Sequence, residues 1–72
     1  MSDAATRIGF LGTGKMATAL AKGWLKAGFV AAEHLSGSDP VAAARSAFAE
    51  ETGGFVSDKN ADVVRRADLL VM

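Results

Sequence analysis

Apolar and polar residues alternate in blocks along this chain, in a pattern that predicts short strands separated by helices. The apolar run at residues 7–11 is bounded by glycine and predicts a buried strand. The next block has helical spacing, and Gly28 is positioned to end that helix. The apolar positions predicted to form one face of this helix are Met16, Leu20, Gly23 with Trp24, and Ala27.

The remaining blocks continue the alternation. Residues 33–40 predict a second strand that ends in an Asp-Pro turn, and the alanine-rich residues 41–54 predict a helix closed by Gly53-Gly54. Residues 55–57 predict a short third strand, 59–67 one or two helical turns, and 68–72 a fourth strand. The order is β-α-β-α-β-α-β, which is typical of an α/β fold with a parallel sheet and helices on both faces.

The fourth predicted strand bears on the length of the domain. Its residues 69–72 are all apolar, as in the centre of a parallel sheet. Because a domain rarely stops inside a central strand, we expect the 72 residues to be part of a longer protein. Residues 1–5 are expected to form a loose tail.

Composition narrows the class of protein. The chain has no cysteine, and His34 is its one histidine, so no metal site is expected. No stretch reaches the roughly 18 apolar residues of a membrane span, and the first residues do not form a signal peptide. The formal net charge is zero, which gives no bulk attraction to nucleic acid or membrane. We therefore expect a cytoplasmic protein with no nucleic-acid or membrane partner.

The stretch "GFLGTGKMA" at residues 9–17 contains two overlapping phosphate-binding motifs. From Gly9 it matches the G-x-x-x-x-G-K loop of ATP- and GTP-binding proteins. That loop needs a Ser or Thr after Lys15 to hold Mg²⁺, and the residue there is Met16, whose thioether does not suit a hard cation. It would also leave two strand-forming residues, Phe10 and Leu11, in an exposed loop.

From Gly12 the same stretch reads G-x-G-x-x-A, the dinucleotide-binding motif. Gly12 would allow the tight turn, Gly14 the close approach of a pyrophosphate, and Ala17 the packing of the helix on the strand. Free N–H groups of the first helical turn would then bind the phosphates. The positive charge of Lys15 is unfavourable near the positive end of the helix dipole. Either a bound anion or full exposure of Lys15 to water would reduce that repulsion.

Asp39, at the end of the second predicted strand, has two candidate roles. A carboxylate in this place commonly accepts hydrogen bonds from the adenosine ribose. It is equally well placed to cap a helix beginning at Pro40-Val41, and the two roles are compatible. A carboxylate disfavours a 2′-phosphate, and Arg45 lies a helical turn or more away, so these residues favour NAD. Ser38 and Asn60 would still be able to donate hydrogen bonds to a phosphate.

The stretch "IGFLGTGKMATALAKGWLKAG" resembles the opening of the pyrroline-5-carboxylate reductases, which read I-G-F-I-G-x-G-x-M-A. The Ser-Asp-Pro turn, the alanine-rich helix and "DKNADVVRRADLLVM" are also similar to that family. The resemblance implies a Rossmann-type domain in an oxidoreductase that passes a hydride from NADP or NAD to a cyclic imino acid and forms proline, the last step of proline biosynthesis. Members often prefer NADPH and accept NADH, and Asp39 leaves that preference open here.

The resemblance also implies site residues and missing parts. The implied cofactor-binding residues are Leu11, Gly12, Thr13, Gly14, Lys15, Met16 and Ala17 around the phosphates, Ser38 and Asp39 at the ribose, and Asn60 near the adenosine 2′ side. No catalytic residue of the family can be placed on these positions. Residues 1–72 would be the N-terminal part of the dinucleotide-binding domain, without the helical C-terminal domain that forms the dimer and contacts substrate. The chain by itself is expected to be inactive, and the full-length protein a homo-oligomer.

Two alternatives remain at this point. The β-hydroxyacid dehydrogenases open with a similar strand, glycine loop and helix, although their motif usually has glycine where this chain has Ala17. A non-catalytic Rossmann module that senses a nucleotide would carry the same loop.

Overall fold

In a computed structural model, residues 6–72 form a four-stranded parallel sheet with three α-helices. The elements are β1 Ile8–Leu11, α1 Lys15–Ala27, β2 Leu35–Ser38, α2 Ala42–Thr52, β3 Phe55–Ser57, α3 Asn60–Arg66 and β4 Leu69–Val71, with a short 3-10 helix at Ala32–His34. The strand order is β3-β2-β1-β4. The predicted α/β order and parallel sheet are confirmed, whereas the tail predicted at residues 1–5 lies outside the described residues.

The sheet carries helices on both faces, as predicted. Phe10 of β1 points to α1 and α2, where its ring lies 5.8 Å from Trp24 and 5.7 Å from Phe48. Its neighbour Gly9 faces the other side, against Val63 of α3. Successive strand residues point to opposite faces. The main apolar core therefore lies between the sheet and the α1–α2 pair, and Phe10 and Phe48 are its largest fully buried side chains.

The buried face of α1 differs from the predicted one. Ala21 is fully buried, and Ala17, Trp24 and Leu25 pack against the core. Met16 is 88% exposed and Leu20 is 41% exposed, so these two residues of the predicted apolar face lie outside the core. The apolar residues of α1 span a wider arc than one packing face. The position of the helix on the sheet decides which part of that arc is buried.

The fourth predicted strand is present as β4. Within the described residues β4 is an edge strand paired with β1, while β1 and β2 occupy the centre of the sheet. Leu69 and Leu70 are 58% and 41% exposed, although their sequence is as apolar as that of a central strand.

None of the helices in residues 6–72 has the length and apolar content needed to cross a membrane.

Helix α2 begins later than predicted. Its first residue is Ala42, and Val41 before it is extended, with φ −89° and ψ 117°. The N–H of Val41 donates to Asp39 Oδ1 at 2.9 Å, a turn closed by a side chain two residues back. Pro40 therefore precedes the helix and does not occupy its first position.

Candidate functional site

The predicted site residues lie at one end of the sheet, where the carboxyl ends of β1 and β2 meet. Leu11 ends β1 and leads into the glycine loop, Ser38 ends β2, and Asn60 begins α3. The chain crosses from β1 to β2 through α1 on one face and reaches β4 through α3 on the other. The order of strands therefore reverses between β1 and β4. In open α/β sheets, ligands bind in the crevice outside such a reversal point.

The glycine loop has one glycine that its conformation requires and one that it does not. Gly12 has φ 114°, a value that side chains disfavour, and its N–H donates to Ser38 O at 2.7 Å. Gly14 has φ −70°, and a Cβ built on it meets no described atom within 4 Å. Neither backbone strain nor internal packing therefore excludes a side chain at Gly14. The bare backbone fits a surface that a pyrophosphate approaches closely.

The N-terminus of α1 has the properties of an anion-binding site. No side chain caps it, and its first turn contains no acidic residue. The helical ladder starts with the N–H of Thr18, which donates to Gly14 O at 3.0 Å. The N–H groups of Lys15, Met16 and Ala17 precede that bond, so they have no acceptor within the helix. Together with the exposed Lys15, these groups suit a bound phosphate.

Asp39 joins the glycine loop to the end of β2. Its Oδ2 accepts the N–H of Thr13 at 3.0 Å, and its Oδ1 accepts the N–H of Val41. The hydrogen bonds from Thr13 and Val41 lower the pKa of this carboxyl below its usual value and outweigh the opposing effect of desolvation, while the charge of Arg45 makes the smallest contribution and also lowers the pKa. The carboxylate therefore stays ionised at neutral pH. Its predicted contact with a ribose stays a prediction.

Ser38 and Asn60 are in direct contact. The buried Ser38 hydroxyl donates to Oδ1 of the exposed Asn60. This bond occupies the amide oxygen of Asn60 and leaves its NH₂ group as a donor beside the end of β2. The structure thus brings together the residues predicted for the adenosine side, although neither cofactor contact is tested by it.

Arg45 is closer to this site than the sequence suggested. Its guanidinium donates from one terminal nitrogen to the backbone oxygen of Asp39 at 2.7 Å. The inference that Arg45 is too far along the chain to act beside Asp39 is therefore wrong. Side chains of a helix point back towards its N-terminus, which carries Arg45 from the first turns of α2 to the strand end.

An apolar cleft of about 850 Å³ lies beside the glycine loop, between α1 and β4. Met16 and Leu20, which the core does not bury, line it together with Val71. The cleft is at the strand reversal point and is mostly apolar, as small-molecule sites usually are. Residues 6–72 bring together no group of three side chains suited to hold a metal ion.

Comparison with known proteins assigns the family. Residues 7–72 match the family described as NADP oxidoreductase, coenzyme F420-dependent. The chain belongs to this family. It is also 39% identical, over 66 residues, to a protein of Methanosarcina acetivorans named pyrroline-5-carboxylate reductase, an alignment that covers 92% of this chain and 24% of that protein. The chain thus spans about a quarter of the length of this curated relative.

These matches confirm the resemblance to the N-terminal part of the pyrroline-5-carboxylate reductases. The NADP oxidoreductase family also agrees with the cofactor class predicted from the glycine loop, a nicotinamide dinucleotide. Among the residues beside the site, Arg45 is one that the sequence analysis placed too far away. The signal that would have placed it correctly is its position in the first turns of a helix that starts directly after β2.

Proposed function

We propose that this chain forms the dinucleotide-binding part of an enzyme that reduces 1-pyrroline-5-carboxylate to proline, the last step of proline biosynthesis. In that reaction a hydride from NAD(P)H goes to the carbon of the C=N bond and a proton goes to its nitrogen. The observation that carries the proposal is the uncapped N-terminus of α1, which follows the loop of Gly12 and Gly14. The chain that contains it is 39% identical to a protein named pyrroline-5-carboxylate reductase.

Each part of the site has a proposed role in holding the cofactor. The first-turn amides and Lys15 bind the pyrophosphate, while Leu11, Met16 and Ala17 support the loop around it. At the adenosine end, Ser38, Asp39 and Asn60 bind the ribose side. When bound, the dinucleotide supplies the hydride, and these residues bind and orient it. No catalytic residue is assigned to this chain.

The rest of the proposal concerns the whole protein. The substrate is a small cyclic imino acid, and its contacts and the dimer interface come from a helical C-terminal domain outside these residues. Residues 1–72 on their own are inactive. The cytoplasmic location, the homo-oligomer and the absence of nucleic-acid and membrane partners stay predictions.

The test is a reduction assay on the intact protein that carries these residues. With 1-pyrroline-5-carboxylate and NADPH, we expect the absorbance of the reduced nicotinamide to fall while proline forms in equal amount. Oxidation of a 3-hydroxy acid in place of this reaction would show the β-hydroxyacid dehydrogenase alternative. Tight NADPH binding with no turnover of either substrate would contradict the proposal and favour a nucleotide-sensing module.

We further propose that NADPH is preferred over NADH. The ionised Asp39 by itself disfavours a 2′-phosphate, but both of its carboxylate oxygens already accept backbone N–H groups. The Arg45 guanidinium beside it has donors beyond the one that binds the Asp39 backbone oxygen. The variant Arg45→Ala is expected to lower kcat/KM about tenfold more for NADPH than for NADH, as expected when a charged hydrogen bond to a phosphate is lost. Arg65→Ala is the matched control, because it removes the same charge near the C-terminal end of α3, beside the start of β2. An equal loss for both cofactors in Arg45→Ala would contradict the preference.

A further inference from the structure

Thr13 differs from the other residues of the glycine loop because its side chain is buried. Only 1% of the residue is exposed, and its hydroxyl has no hydrogen-bond partner among residues 6–72. A buried hydroxyl without a partner costs stability, so the hydroxyl does not explain why threonine suits this position. The rest of the side chain is a methyl group, Cγ2.

That methyl group occupies a space that a glycine of β2 leaves open. A Cβ built on Gly37 would lie 2.5 Å from Thr13 Cγ2, which is too close for two carbon atoms, and 3.2 Å from the ring of Phe48. Gly37 is buried at the centre of the sheet, with neighbours on both sides along β1 and β3. The Thr13 methyl and the missing side chain of Gly37 are thus complementary in shape.

The backbone contacts of the loop are arranged around this packing. The N–H of Gly12 donates to Ser38 O, and the N–H of Thr13 donates to Asp39 Oδ2. The loop is therefore attached to the end of β2 by two hydrogen bonds and one buried methyl group. The next residue, Gly14, is the exposed backbone that begins the anion-binding turn of α1.

We propose that Thr13 and Gly37 form a matched pair that positions the glycine loop for dinucleotide binding. Thr13 is a positioning residue in this pair, since its methyl group packs against Gly37 and its hydroxyl is buried away from the surface of the loop. The inference rests on the proposed function only in taking a dinucleotide as the ligand of the loop. It assigns Thr13, predicted from sequence to bind the cofactor, an indirect role.

Two substitutions at Thr13 separate the methyl group from the hydroxyl. Thr13→Val keeps Cγ2 and replaces the unpartnered hydroxyl, so we expect NADPH affinity within about twofold of the wild type and unchanged or higher thermal stability. Thr13→Ser keeps the hydroxyl and removes the methyl, and we expect the dissociation constant to rise about fivefold, the equivalent of one buried methyl group. Both are measured by NADPH titration of the intact protein.

The matched control for Thr13→Ser is Thr52→Ser. Thr52 is also buried, but its hydroxyl is bonded to Phe48 O at the far end of α2. This control is expected to lower stability and leave NADPH affinity unchanged. Loss of affinity in Thr13→Val with normal binding in Thr13→Ser would overturn the proposal, because it would make the hydroxyl the functional group.

The partner residue supplies a rescue experiment. Gly37→Ala places a Cβ 2.5 Å from the Thr13 methyl, so the loop must shift and we expect weaker NADPH binding. Combining it with Thr13→Ser puts the alanine methyl in the vacated space and is expected to bring affinity back to within about twofold of the wild type. A double variant that binds no better than Gly37→Ala alone would overturn the pairing.

Hydrogen exchange distinguishes this inference from the proposed function. Without any dinucleotide, Thr13→Ser is expected to speed amide exchange in residues 12–17, and Thr13→Val is not. If the two variants show this pattern but the wild type binds no NADPH, the proposed function fails and the packing of the loop stands. If the wild type binds NADPH and both variants exchange alike, the pairing fails and the proposed function stands.

Discussion

Replacement of Gly14 by valine is expected to leave the protein folded and to weaken NADPH binding about a hundredfold, because several charged hydrogen bonds to the pyrophosphate would be lost together. The fold should tolerate the change, since a Cβ at Gly14 meets no described atom within 4 Å and the φ of −70° suits valine. The side chain would instead occupy the outer surface of the loop. Its effect would therefore fall on a ligand that approaches there. The measurement is NADPH titration of the intact protein together with thermal unfolding.

The control for Gly14→Val is Gly23→Ala. Gly23 is an exposed glycine inside α1, and a Cβ built on it also meets nothing within 4 Å. This control is expected to add up to about 1 kcal/mol of stability from helix propensity and to leave binding unchanged. Gly14→Ala should give an intermediate loss of affinity. A folded Gly14→Val variant that binds NADPH with wild-type affinity would contradict the proposal that this loop binds the pyrophosphate.

Gly9→Ala is expected to have the opposite effects from Gly14→Val: a large loss of stability and little change in NADPH affinity. A Cβ at Gly9 would overlap Val63 Cγ1 and lie 2.8 Å from Ala67 Cβ, so α3 would have to move away from β1. Overpacking of this kind costs about 1–3 kcal/mol. The free energy of unfolding from urea denaturation measures it, with Gly23→Ala again as the comparison for a glycine that has room. For variants that still fold, affinity for NADPH should change much less than in Gly14→Val.

A second substitution tests the cause of that loss. Val63→Ala removes the atom that overlaps the new Cβ, so adding it to Gly9→Ala should recover part of the lost stability, even though Val63→Ala alone destabilises by opening a cavity. Two results would contradict this explanation: destabilisations of the two single variants that simply add, or a Gly9→Ala variant that unfolds at the same urea concentration as the wild type. Either would show that Gly9 is not required for the close packing of α3 on β1.

The contrast between these glycines shows where sequence reasoning succeeded. The motif separated Gly12 and Gly14, the loop glycines, from Gly9, which was predicted to lie in a strand, and the structure places Gly9 within β1. The sequence did not predict that Gly9 is needed for packing. That need arises from Val63 of α3, which is distant in the chain and reaches β1 only once the sheet has formed.

Helix faces and helix starts were the less reliable predictions. Met16 and Leu20 fit the helical period of α1, yet they line the apolar cleft and Ala21 is buried in the core. Periodicity indicates that a helix has an apolar side, and the orientation of that side depends on what the helix packs against. Likewise, α2 begins at Ala42 and not at Pro40-Val41. Val41 is extended, and its N–H donates to the Asp39 carboxylate in a turn that precedes the helix.

The sequence by itself determined the order of elements, the parallel α/β fold and the glycine loop, because these depend on local spacing and on the backbone freedom of single residues. Only the tertiary structure decided which side chains meet. It placed Arg45 beside Asp39 and the Thr13 methyl over Gly37. Such meetings depend on the register of β1 against β2 and on how α2 lies across them, and neither is encoded by any short stretch of the chain.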